Sequence, residues 1–126
     1  MENLFAPPGG FVVRIMDLSG ANGSDPLETI GGFTSLMHAN AFARAYVRDS
    51  FERCRAPGLS HEEVLSAWFA YGEDAVVDDE AGWKSANELH DFAQTPAAAE
   101  ERDWRSLDPR RDADDDEDDE DEDQTG

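Results

Sequence analysis

The chain has 126 residues, with 30 acidic against 10 basic side chains and a formal charge of −20. Half of that excess lies at one end: residues 108–126 hold 12 acids and 2 arginines, while residues 1–107 hold 18 acids and 8 bases. This balance argues against a conventional nucleic-acid-binding surface, which needs clustered bases to neutralise phosphates, and against docking on anionic lipid.

Pro7-Pro8-Gly9-Gly10 closes a flexible leader over residues 1–9 and breaks any regular structure there. Phe11 to Leu18 reads as a strand, with Phe11, Val13 and Ile15 making one fully apolar face. Turn formers fill Ser19 to Pro26, and Leu27 to Phe33 returns as a second strand that Gly31-Gly32 should end. The spacing from Asp17 to Glu28 imitates a calcium loop. Ala21 and Asn22 stand where such a loop needs a ligand and a glycine, so a plain hairpin loop is expected.

The strongest helix signal runs from Ser35 to Arg55. Leu36, Ala39, Ala43, Val47, Phe51 and Cys54 share one face, and Arg44, Arg48, Glu52 and Arg55 lie opposite. Arg48–Glu52 and Asp49–Arg53 are spaced as i,i+4 pairs. Pro57-Gly58 stops this helix, and Ser60 with Glu63 forms a capping box for the next. Val64, Leu65, Trp68 and Phe69 then predict a buried stripe ending at Tyr71, with Gly72 in a left-handed C-terminal position. Ala75-Val76-Val77 is a short third strand. Ser85 to Thr95 is a third helix with a second capping box, Ser85 and Glu88, and with Leu89, Phe92 and Ala93 buried. Pro96 opens a last turn or helix to about Trp104.

These elements predict one α+β domain over residues 10–106. A small two- or three-stranded, mainly antiparallel sheet is packed by the long helix and two or three shorter ones. Residues 107–126 form an acidic tail. Its ten consecutive acids, Asp114 to Asp123, self-repel and bury nothing, so a disordered segment is expected. The single cysteine, Cys54, leaves no internal disulfide and no zinc site built on thiolates. There is no apolar run of roughly 18 residues to span a membrane and no basic-then-apolar secretory signal, so a cytoplasmic setting is expected. One lysine against nine arginines, with abundant alanine, suggests a GC-rich coding sequence and a bacterial source.

Candidate interaction residues fall into three groups. Arg44, Arg48 and Arg55 form a basic stripe that could hold an anion, a partner or the chain's own tail. Trp83 and Trp104 become interface candidates if exposed. Asp114, Asp115, Asp116, Glu117 and Asp118 open the acidic run, which could engage a basic protein. No catalytic, cofactor-binding or metal-binding residue is assigned. His38, His61 and His90 have no metal-ligand spacing, and Cys54 falls on the apolar side of its helix, where a structural thiol is the expectation. Glu73-Asp74 and Asp78-Asp79-Glu80 lack a recognisable partner base and read as turn residues.

Four segments carry a resemblance: Phe11 to Asp17, Gly32-Phe33, Gly58 to Glu63, and Tyr71-Gly72-Glu73-Asp74. In these the chain resembles a group of short uncharacterised bacterial proteins with a strand, long helix, second helix and aromatic-Gly-Glu-Asp layout, over roughly residues 11–77. Ala75 departs from the proline expected there, and the acidic tail is an addition. The resemblance implies a fold and no activity. The leading functional expectation is a non-catalytic binding or regulatory module whose acidic surface and tail engage a basic partner, with no direct nucleic-acid or membrane contact. The alternatives are nucleic-acid mimicry directed at a DNA-binding protein, and an enzyme with an unrecognised site.

Overall fold

The computed structural model describes residues 10–23 and 25–110. The expected leader, and the acids from Asp114 to Asp118, lie outside the described residues. Three strands form one antiparallel sheet: β1 (Phe11–Asp17), β2 (Glu28–Phe33) and β3 (Glu73–Val77), in the order β2-β1-β3. Alternation decides which face is covered. Phe11, Val13 and Ile15 of β1 are buried with Ile30, Phe33, Ala75 and Val77, while Val12, Arg14 and Met16 lie on the other face.

Helix α1 (Leu36–Cys54) lies on the buried face. Ser35 caps it, its Oγ accepting the His38 N–H at 3.0 Å, and Arg55 stands at its C-terminal cap. Helix α2 (His61–Tyr71) begins at the Ser60–Glu63 capping box, both of whose bonds form, at 2.8 and 3.1 Å. A short α3 (Leu89–Gln94) and three 3-10 turns, Ser85–Asn87, Ala99–Arg102 and Trp104–Leu107, complete the chain.

One hydroxyl joins three elements. Ser50 of α1 accepts the Trp68 Nε1–H from α2 at 3.1 Å and the Glu73 N–H from β3 at 2.9 Å. The Trp68 ring stacks on Phe51, with centroids 4.8 Å apart. A buried indole with its N–H paired avoids the cost of an orphaned donor.

Local details differ from the sequence reading, each for a physical reason. Gly31-Gly32 does not end β2 but forms a bulge inside it, where the pairing with β1 shifts by one residue. Gly32 has φ +91°, and a Cβ on Gly10 would come within 2.8 Å of the Gly32 backbone, so both positions require glycine. Gly72 is extended, not left-handed. Its glycine serves close approach: a Cβ there would sit 2.7 Å from the Trp68 carbonyl oxygen and closer still to the Trp68 ring. Ser85 and Glu88 form no capping box. The Ser85 side chain is buried and makes no cap bond, and Glu88 turns to Arg44. Phe69 is 52% exposed and Tyr71 77%, so the buried stripe of α2 narrows to Val64 and Trp68, with Leu65 partly covered.

The fold also runs past Leu107. The His38 imidazole meets the Leu107 carbonyl at 2.6 Å, Pro109 lies against Gly32, and Arg110 pairs with Glu28 at 2.8 Å. Residues 107–110, expected in the tail, are thus fastened beside β2. The tightest of these approaches is at Gly72, where the neighbouring Trp68 ring is itself fully buried. Gly72→Ala should lower stability by about 2 kcal/mol, read as a reduced urea midpoint with altered Trp68 fluorescence.

Candidate functional site

The basic stripe expected on the exposed side of α1 does not form. Arg48 is 4% exposed, and Arg44 and Arg55 are partly covered. The reason lies downstream, where residues 83–107 wrap around this face and supply its counter-charges. Arg44 makes a bidentate pair with Glu88, its Nε and Nη2 donating at 2.8–3.1 Å. Arg48 donates to the Thr95 carbonyl at 3.1 Å and to Glu101 at 3.0 Å. Arg55 pairs with Glu52 and donates to the Phe92 and Ala93 carbonyls. The Phe92 ring lies under the guanidinium groups of Arg44 and Arg48, at 5.3 and 4.7 Å.

Two acids of α1 work in the opposite sense. Asp49 pairs with Arg53 at 3.4 Å, as its spacing predicts, and also accepts from Arg102 at 2.8 Å and from Trp104 Nε1 at 3.2 Å. Glu52 does not pair with Arg48; it holds Arg55 and accepts the Ala97 N–H at 3.1 Å. Trp83 and Trp104, the two interface candidates, are partly buried by the same wrap. Trp83 Nε1 donates to Glu88 at 2.7 Å. The exposed aromatics are Phe69 and Tyr71 instead.

The wrap decides the surface charge. Of the nine basic side chains among the described residues, seven sit in ion pairs within the fold, and Lys84 and Arg105 have no ion-pair partner there. Eleven of the eighteen described carboxylates have none either. The pairing thus engages seven bases and seven carboxylates, which is most of the positive charge but less than half of the negative.

Two of the three histidines, His61 and His90, and the cysteine fall beside two cavities. Between α2 and α3 an open cavity of about 350 Å³ is lined by His61, Glu62, Leu65, His90, Ala93 and others. This convergence of His61 and His90 is invisible in their spacing. Neither imidazole has a side-chain hydrogen bond among the described residues, so no carboxylate orients either ring as a general base. A second cavity of about 290 Å³ brings Cys54 near Arg53, Tyr71 and Glu73. Burial pushes the Cys54 thiol up, and the opposing pull of Arg53 is weaker, so the thiol is held away from its nucleophilic form. Among the described residues no three His, Cys, Asp or Glu side chains converge as a metal site. No described helix is long and apolar enough to cross a membrane.

Searches with the chain found no matching protein-family model, curated protein or solved structure.

The wrap is titratable. The bond from Arg44 holds the Glu88 carboxyl below the ordinary range, against some burial. The Ala98 N–H and then Arg48 do the same for Glu101. Burial raises Glu52, but the bonds from Arg55 and Ala97 outweigh it. Carboxyls lowered in the folded state stabilise it above their unfolded value of 4.5, and that stability is lost as pH falls through the lower folded values. Urea midpoints should be level above about pH 5 and fall in acid. Glu88→Gln should make the acid fall shallower, and an unchanged slope would show that the Arg44 pair contributes nothing. Arg48→Ala, which removes a buried stem and two hydrogen bonds, should cost about 2 kcal/mol in the same assay.

Proposed function

We propose that this chain is a small cytoplasmic, non-catalytic binding or regulatory module whose acidic surface and tail engage a basic partner protein. One observation carries the reading: seven of the nine described basic side chains are engaged in ion pairs within the fold, while eleven of the eighteen described carboxylates have no ion-pair partner there. Such a surface attracts a basic protein and repels nucleic acid directly. Arg110, which precedes the acidic run in sequence, is bonded to Glu28 of β2.

Nucleic-acid mimicry would need an ordered row of carboxylates. The acids of residues 73–91 are divided between the two ends of β3 and the start of α3, and two are taken up within the fold: Glu73 accepts from the Tyr46 hydroxyl and Glu88 from Arg44. That scatter speaks against mimicry. The enzyme alternative has a cavity with two histidines and a carboxylate, but no hydrogen bond couples them.

The test compares the full chain with one ended after Arg110, which keeps the clamp on β2. Each is immobilised and exposed to lysate of the source cells. The full chain should retain basic proteins at low salt, release them at high salt, and retain less once shortened. Retention indifferent to both salt and shortening would overturn the reading.

A further inference from the structure

We propose that the cleft between α2 and α3 is the docking groove for a basic amphipathic helix of the partner; this rests on the basic-partner reading and names the site. The cavity there, about 350 Å³, has Leu65 and Ala93 as apolar lining, and Glu62, His61 and His90 as its titratable groups. Phe69 stands one turn along α2 from Leu65, on the same flank, and is 52% exposed. It is held edge-on to the buried Trp68 at 5.3 Å, a packing that fixes the ring without covering it. With Leu65 and Ala93 it sets apolar surface along the cleft, with polar groups around it, and contiguous apolar surface with a polar rim marks interaction sites.

The charge around the cleft states the rest of the partner's chemistry. No Lys or Arg lines it, whereas Arg53, Arg102 with Arg105, and Lys84 line three other cavities of the fold. Arg55 is turned beneath α3 to the Phe92 and Ala93 carbonyls and to Glu52. Glu62 in the lining and the exposed Asp91 beside His90 have no ion-pair partner among the described residues. A ligand that fits carries apolar side chains flanked by Lys or Arg. Its backbone is helical because both walls are helices, whose main-chain groups are already bonded. Strand addition has nothing to pair with here, so recognition runs through side chains laid into a groove.

The probe is a helical peptide of leucine and lysine at i,i+3 and i,i+4 spacing, with a control of equal charge in which serine replaces leucine. Both are titrated into the full chain at near-physiological salt, with amide chemical-shift mapping by NMR. The leucine peptide should bind more tightly than the control and shift residues 59–71 and 88–95. Phe69→Ser and Glu62→Lys, both at exposed positions, should each weaken it about tenfold. Equal binding of the two peptides, unaffected by either variant, would overturn the groove while leaving the basic-partner reading intact. Absence of binding by both peptides, even at low salt, would overturn both.

Discussion

Helix α1 is covered from three directions. The sheet covers one side, α2 lies along another, and residues 83–107 close over most of its polar face, leaving Met37 and Arg53 exposed. Charges taken out of solvent by this covering must find partners, because an unpaired buried charge costs several kcal/mol. Arg44, Arg48, Asp49, Glu52 and Arg55 all meet this condition through groups from the C-terminal third. The short elements after β3 have little regular structure to hold them, and their positions follow from this set of pairs. Among the described side chains, Arg48 Nε is the one buried polar atom left without a hydrogen bond.

What could be read from the sequence was local. Ser35 and Arg55 bracket α1 because a cap residue and a Pro-Gly stop are chemical signals confined to a few positions. The Ser60–Glu63 box and the alternation in β1 are signals of the same kind. The surroundings of the polar face of α1 could not be read that way. A helical wheel shows that one side is charged, not what covers it, and the partners Glu88 and Glu101 have no fixed spacing from the arginines. One clue was present: an acid-rich segment, residues 88–103, follows a helix with a basic face.

Phe69 shows a second limit. Val64 and Trp68 take the buried face of α2, and Phe69, about 100° further round the helix, stands outside it although its residue type suggests core. Gly72 shows a third: a glycine can be required by a neighbour's bulk without any unusual backbone angle. The meeting of His61 and His90 is a tertiary fact, since it depends on how α3 crosses α2. The residues argued to matter for binding are therefore mostly ones whose type predicted burial or a plain surface.

The wrap over α1 is fastened by side chains, and its 3-10 turns add no strand to the sheet. Segments of that kind open before a core does, with a free energy below that of global unfolding. Hydrogen exchange in residues 95–107 would then run ahead of exchange in α1 and β1. Such a partly opened molecule is chemically unlike the closed one. It uncovers the guanidinium group of Arg48 over the Phe92 ring, freed from Thr95 and Glu101, and so presents a cation that the closed fold keeps covered.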